Sequence, residues 1–226
     1  MKRLVMAALL AAMMYSCTVF ASMEEADKLY REKKYAEAVA AYRNELAGLT
    51  GEKAALVQIK IGYSVYNQRK FEEAETEFRK VKDIEGATTR SLVRAQYFLG
   101  LSLYSNGKKY DEAVEELRKT VNMEGVDETT KHNSQYFLGD SFFRNKKYDE
   151  TIAEFRKFLE MMQGKTSFQI AEAYYRIGTS LYRLKKYDEA IAELEKVKDA
   201  PEARAKTVKL AGKTIEDCRQ AKEKQE

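Results

Sequence analysis

Apolar and polar residues alternate along most of the chain with the period of an amphipathic helix. The pattern is clearest where an aromatic residue is followed three positions later by a small residue, and four positions after that by a large apolar one. Five segments carry it: Tyr35, Ala38 and Tyr42; Phe71, Ala74 and Phe78; Tyr110, Ala113 and Leu117; Tyr148, Thr151 and Phe155; and Tyr187, Ala190 and Leu194. Residues three and four apart lie on one face of a helix, so each segment is predicted to be an α-helix with one buried face.

A second helix is predicted upstream of each of these segments. An aliphatic–Gly pair lies nine or ten residues before four of the five aromatic residues, and Ala26 takes the place of the glycine in the first segment. The residues expected at close helix contacts are Gly62, Gly100, Gly139, Gly178, Ala38, Ala74, Ala113 and Ala190. Each unit is thus predicted to be a helix–turn–helix hairpin, which buries its apolar face by stacking on the next hairpin.

The five hairpins form a repeat, because their aromatic residues are 36, 39, 38 and 39 positions apart. This arrangement resembles the tetratricopeptide repeat family, although the period is longer than the 34 residues usual there. Residues 95–100 and 134–139 are similar to repeats of bacterial envelope proteins, such as the Tol–Pal-associated periplasmic coordinator and the outer-membrane assembly lipoprotein. The resemblance implies an all-α fold, a right-handed α-solenoid of five hairpins. Their expected bounds are 22–50, 51–86, 87–125, 126–164 and 165–199, with a capping helix and charged tail at 200–226.

The N-terminal residues indicate export. Two basic residues precede Leu4–Tyr15, an apolar stretch whose twelve residues would span only about 18 Å as a helix, short of the ~30 Å hydrocarbon core of a membrane. Residues 1–21 are therefore predicted to be a signal peptide cleaved before Ser22, which places the mature protein in the periplasm. The alternative is lipidation of Cys17, which would anchor the protein to the outer or inner membrane. No integral membrane span is expected.

The composition of the chain further limits the kinds of binding and catalytic site that it can form. The chain has 40 Lys and Arg against 36 Asp and Glu; His132 is its only histidine, and Cys17 and Cys218 are its only cysteines. A nucleic-acid-binding surface needs a clustered excess of base, and a zinc or iron–sulfur site needs more ligands than these. We therefore expect no nucleic-acid partner, metal or cofactor. Because no catalytic constellation can be built around His132 or Cys218, we also expect no enzyme activity.

The candidate binding residues lie on the first helix of each hairpin, which lines the concave surface in tetratricopeptide repeats. One column of aromatic residues stands three positions before the glycine and another stands four after it. Their separation of seven is two helical turns, so both columns share a face. The expected site comprises Tyr97, Tyr136, Tyr175, Tyr66, Tyr104, Phe143, Tyr182, Arg144 and Arg183. Tyr and Arg are enriched at protein–protein hot spots. In the alternative interpretation these aromatic residues only fill space between hairpins.

The sequence therefore predicts a non-catalytic scaffold that binds a segment of another envelope protein. The family's dicarboxylate clamp has Asn directly after the glycine position, where this chain has Asp27, Tyr63, Leu101, Asp140 and Thr179. Binding of a chaperone-type acidic C-terminus is accordingly not expected. Three alternatives stay open: a self-associating structural protein, a lipoprotein subunit of an outer-membrane assembly complex, and a carrier of a small molecule or lipid. The sequence does not indicate an oligomeric state.

Overall fold

The computed structural model describes residues 23–224, so the predicted signal peptide, Ser22 and Cys17 lie outside the described residues. Within this range the chain forms eleven α-helices and one short 3-10 helix, and no strand. The prediction of an all-α chain of helical hairpins is thereby confirmed. None of these helices is both long enough and apolar enough to cross a bilayer.

The helices fall into two compact units that divide after Ala87. Unit 1 contains α1 Met23–Arg31, α2 Tyr35–Leu46, α3 Gly51–Asn67, α4 Phe71–Arg79 and the 3-10 helix Lys80–Asp83. Each α-helix packs on the next. Tyr42 and Phe78, the large apolar residues of the two second helices, are 1% and 2% exposed and lie in the core.

Unit 2 begins at Thr88 and contains three hairpins and a terminal helix. Its helices are α5 Thr89–Asn106, α6 Tyr110–Asn122, α7 Glu128–Arg144, α8 Tyr148–Met161, α9 Phe168–Arg183, α10 Tyr187–Glu195 and α11 Ala205–Glu223. Consecutive helices are in contact, and α7 also contacts both α5 and α9. The first helices of the hairpins, α5, α7 and α9, therefore form one layer. Helix α11 packs on α9 and α10 through Ala211 and Cys218, which are buried.

The turn inside a hairpin repeats one backbone motif in four of the five cases. Its central residue has a left-handed φ: Lys33 (62°), Arg69 (62°), Lys146 (59°) and Lys185 (62°). In the fourth hairpin the N–H of Lys146 donates to the Phe143 carbonyl and that of Lys147 to the Phe142 carbonyl, both at 3.0 Å. This pair of bonds is a Schellman motif, in which glycine usually occupies the left-handed position.

Because a side chain disfavours that conformation, we expect Lys146→Gly to raise the free energy of unfolding by about 0.5–1 kcal/mol. The expected gain in stability is smaller than the full energetic cost of placing lysine in the left-handed conformation, because glycine loses more backbone entropy than lysine on folding. Urea unfolding followed by circular dichroism measures it. The neighbouring Lys147→Gly, at a negative φ of −87°, is the control and is expected to be neutral or destabilising. A loss of stability in Lys146→Gly would contradict the strain argument.

The glycines of the first helices lie against the large apolar residue of the second helix in the same hairpin. A Cβ added to Gly62 would lie 2.5 Å from the Phe78 ring, and one added to Gly100 would lie 2.8 Å from Leu117 Cδ2. Corresponding contacts join Gly139 to Phe155 and Gly178 to Leu194. The small residues one turn earlier on the second helices, Ala38, Ala74, Ala113 and Ala190, are all 0% exposed. The two helices of a hairpin can therefore approach closely because glycine and alanine, which have little or no side chain, stand at the contact.

Candidate functional site

Three helices build the candidate site, and side-chain caps fix where each of them begins. Thr88, Asp127 and Ser167 precede α5, α7 and α9 and accept hydrogen bonds from backbone N–H groups two or three residues later, at 3.3, 2.9 and 3.2 Å. Such caps satisfy N–H groups that have no partner within the helix. We call the surface of these three helices that carries Tyr104, Asp140, Phe143, Arg144 and Arg176, together with the predicted residues Tyr97, Tyr136, Tyr175, Tyr182 and Arg183 on the same helices, the first-helix face of unit 2.

Asp140 lies at the centre of this face, and its side chain is only 3% exposed. The hydroxyl of Tyr104 on α5 donates to its Oδ2. Arg144 Nε on α7 lies 3.2 Å from Oδ2, and Arg176 Nε on α9 lies 2.6 Å from Oδ1. The Arg176 guanidinium also sits 4.6 Å from the centre of the Phe143 ring. A single carboxylate therefore ties together the first helices of three successive hairpins.

Electrostatics keeps this carboxylate ionised. Burial alone would raise the pKa of Asp140, but the charge of Arg176, the hydrogen bond from Tyr104 and the charge of Arg144 outweigh it, so the pKa lies below its ordinary value. Burial raises the pKa of the Tyr104 phenol, and the charge of Asp140 raises it further, so the hydroxyl stays protonated as a donor. The cluster is thus a charged network at neutral pH, with two guanidinium groups against one carboxylate.

The second predicted column of aromatic residues packs inside its own hairpins. Each ring lies against the aromatic residue that opens the second helix, with ring centres 5.4–6.4 Å apart. The pairs are Tyr66 with Phe71, Tyr104 with Tyr110, Phe143 with Tyr148, and Tyr182 with Tyr187. All four rings of this column remain partly exposed. Each ring thus packs beside the turn of its own hairpin, so packing accounts for much of their presence.

The rings of the first predicted column also contact other aromatic or core residues. Tyr136 lies 5.5 Å from the rings of both Phe155 and Phe158 on α8, and burial raises the pKa of its phenol. Tyr175 packs against the core of the last hairpins while its ring stays 5.8 Å from the Arg176 guanidinium. Tyr97 lies edge-on to Phe98 at 5.1 Å. All three rings are intermediate in exposure, and Tyr136 and Tyr175 both pack against buried residues of the core.

The two predicted arginines are exposed at the C-terminal ends of their helices. The guanidinium of Arg144 lies 5.9 Å from the Tyr104 ring, and that of Arg183 lies 5.8 Å from the Tyr182 ring. A cation over an aromatic face is held there by the ring's quadrupole. Each arginine is thus held beside an aromatic residue while it still presents charge to solvent.

Sequence reasoning missed both Asp140 and Arg176 as members of the site. A signal was present, because Asp140 is the only charged residue in the segment from Tyr136 to Phe143. Its partner Arg176 is 36 positions away, and no local pattern pairs the two. Unit 1 has a more exposed counterpart, in which Asp27 accepts from Lys60 and from the Tyr42 hydroxyl, both at 2.6 Å.

A second polar contact inside the hairpins was also missed. Gln58 Nε2 donates to the Glu77 carbonyl at 3.1 Å and to its carboxylate at 2.7 Å. Gln96 with Glu116 and Gln135 with Glu154 repeat this arrangement. These glutamines join the two helices of a hairpin, so they position the layers and do not form a binding site.

The residues with potential reactivity lie elsewhere. Burial raises the pKa of the Cys218 thiol to about 11, which disfavours the nucleophilic thiolate. Burial lowers the pKa of His132, whose Nε2 lies 3.4 Å from Lys165 Nζ. Within residues 23–224 no three His, Cys, Asp or Glu side chains form a group able to hold a metal ion.

Family models identify the repeats. One model described as tetratricopeptide repeat matches residues 131–203, and another with the same description matches residues 93–125. Residues 93–125 and 131–203 are therefore tetratricopeptide repeats. Both matches lie in unit 2: the first includes residues 131–144 of α7, with Asp140, and the second includes residues 93–106 of α5. A comparison with curated proteins gave no match.

Solved structures show the same fold at low sequence identity. RapI in its apo form aligns with a TM-score of 0.66 and 18% identity, over 76% of this chain and 66% of RapI. YrrB, described as a TPR protein with an unusual peptide-binding site, aligns with a TM-score of 0.63 and 19% identity, over 84% of this chain and 90% of YrrB. PlcR of Bacillus thuringiensis, solved with the peptide PapR7 and DNA, aligns with a TM-score of 0.54 and 16% identity, over 81% of this chain and 72% of PlcR. At these identities the likeness concerns the fold alone.

Proposed function

We propose that this protein is a non-catalytic interaction scaffold that binds an extended segment of another bacterial envelope protein on the first-helix face of unit 2. The observation that carries the proposal is the Asp140 network, which holds aromatic and arginine side chains of three adjacent helices in one arrangement. A surface that is ordered before binding loses less entropy when a partner docks. Helical repeat proteins use extended surfaces of this kind to bind partners.

Two further observations support binding of a peptide segment. YrrB and PlcR, which share the fold, are described with a peptide-binding site and with a bound peptide, respectively. The predicted residues Tyr97, Tyr175, Arg144 and Arg183 are intermediate or exposed and lie on the first helices of unit 2. Tyr136 is intermediate in exposure as well, and its ring also contacts Phe155 inside the hairpin.

The envelope location is part of the proposal and rests on residues 1–21. Their basic start and short apolar stretch favour export, with the mature chain beginning at Ser22. Lipidation of Cys17 is the other processing route, and it would leave the same binding surface on an anchored protein.

Site-specific photo-cross-linking tests the proposal. A photoreactive phenylalanine analogue is placed at Tyr97 or at Arg183, and at the exposed Arg156 on α8 as the matched control. In cells of the source organism, we expect the first two positions to cross-link one partner protein and Arg156 to cross-link none. We expect the cross-linked product in the periplasmic fraction, with Ser22 as the N-terminal residue of this chain. Equal cross-linking from Arg156, or products formed only between two copies of the chain, would overturn the proposed binding face.

A further inference from the structure

Charge is divided between the two helix layers of unit 2. The first helices α5, α7 and α9 carry six Lys and Arg residues against three Asp and Glu. The second helices α6, α8 and α10 carry twelve Asp and Glu against four Lys and Arg. The near-neutral composition of the chain therefore conceals a basic layer and a strongly acidic layer.

The acids of the basic layer are already engaged. Glu128 pairs with Lys165 at 2.8 Å, and Glu172 accepts a hydrogen bond from Thr207. Asp140 faces both Arg144 and Arg176, which leaves one positive charge in excess in that cluster. Arg183 forms no ion pair with a carboxylate among residues 23–224. The layer thus has positive charge that no described acidic side chain neutralises.

The arginines in excess are placed to receive a carboxylate. Arg144 has a 46% exposed side chain and its hydrogen bond to Asp140 comes from Nε, which leaves its two terminal NH2 groups for a second carboxylate. Guanidinium groups bind carboxylates through two parallel hydrogen bonds, and the neighbouring aromatic rings limit their rotation. Adjacent helix axes lie about 8–10 Å apart, so a segment that crosses α5, α7 and α9 spans roughly 20 Å, or about six extended residues.

We propose that the segment bound on the first-helix face of unit 2 is acidic, with side-chain carboxylates that contact Arg144 and Arg183. This inference rests on the proposed function and specifies the chemistry of the partner. Charge complementarity selects the occupant, since the basic layer repels basic segments and the Asp140 network offers no free carboxylate to them. The recognition differs from a clamp for a terminal carboxylate, because both contacts can be made by side chains within a continuous segment.

Binding of defined peptides tests the inference. The probe is a fluorescent, capped peptide of four Glu-Ala-Gly units, and its counterpart has Gln in place of every Glu. We expect the Glu peptide to bind the mature protein about tenfold more tightly than the Gln peptide, and to weaken as salt is raised. The double variant Arg144→Gln/Arg183→Gln is expected to remove most of this preference, with Arg156→Gln on α8 as the matched control. Arg183→Gln alone gives a variant that leaves the Asp140 network intact.

The outcomes separate this inference from the proposed function. Equal affinity for the two peptides, or an equal loss in Arg156→Gln, would overturn the acidic-segment inference even if photo-cross-linking finds a partner at Tyr97. Binding of a dodecathymidylate with the same dependence on the arginines would overturn it in favour of general polyanion binding. An oligomer that dissociates in Arg144→Gln/Arg183→Gln would identify a second copy of the chain as the occupant, and would also overturn it. Unchanged helical circular dichroism shows that each variant is folded.

Discussion

Replacing Asp140 with alanine is expected to lower the free energy of unfolding by about 3–5 kcal/mol. The reason is that Arg176, whose side chain is 18% exposed, would lose the carboxylate 2.6 Å from its Nε and remain as a charge without its partner. The Tyr104 hydroxyl would lose its acceptor at the same time. Urea unfolding followed by circular dichroism measures the change.

The matched control is Asp111→Ala. Asp111 also pairs with a base from another helix, Lys147 at 2.7 Å, but its side chain is 69% exposed. Exposed ion pairs contribute about 0–1 kcal/mol, so this variant should differ little from wild type. A loss below about 1 kcal/mol in Asp140→Ala would show that the network adds little to stability. The double variant Asp140→Leu/Arg176→Met is expected to recover much of the loss, because it removes both charges from the interior.

The same network predicts how stability depends on pH. Since the pKa of Asp140 lies below its ordinary value of 3.8 in the folded protein, its contribution is complete above that value. The contribution is lost as the pH falls from 3.8 toward the lower folded-state pKa, because the unfolded chain then binds the proton more readily. Asp140→Ala should therefore show a smaller fall in stability over this acidic range than wild type.

Gly178→Val is the second change with a large expected effect, a loss of about 2–3 kcal/mol in the free energy of unfolding. A Cβ at this position would lie 2.7 Å from Leu194 Cδ2 and 3.2 Å from the Ala190 carbonyl oxygen, so α9 and α10 must separate. Leu194 is 1% exposed and Ala190 is 0% exposed, so both are enclosed by neighbouring residues and a shift of either would disturb the core. Thermal and urea unfolding measure the loss.

Gly212→Val is the matched control within the same unit. Gly212 also lies inside a helix, but nothing stands within 4 Å of a Cβ added there. Its replacement is expected to change stability by less than about 0.5 kcal/mol, since valine and glycine differ modestly in helix propensity. Equal losses at Gly178 and Gly212 would indicate that helix propensity, and not close packing, explains the effect.

Much of the architecture was predictable from the sequence because its determinants are local. The spacing from Tyr110 to Ala113 to Leu117 places three residues on one helix face whatever the surroundings, and its recurrence predicts stacked hairpins. The opening aromatic residues coincide with the first residues of α2, α4, α6, α8 and α10. The left-handed turns were less predictable, because Lys33, Arg69, Lys146 and Lys185 occupy positions where glycine is usual.

The candidate site depends on information that no local pattern contains. Periodicity placed Tyr136 on the first-helix face, and only the packed structure shows that its partly exposed ring also contacts Phe155 and Phe158 on the next helix. Asp140 meets Arg176 only because α7 and α9 stack in one register, which sets contacts between residues 36 positions apart. The sequence by itself therefore determined the repeated hairpins, whose cause is the helical period. The tertiary structure alone decided which polar groups meet between hairpins, since that depends on how neighbouring helices pack.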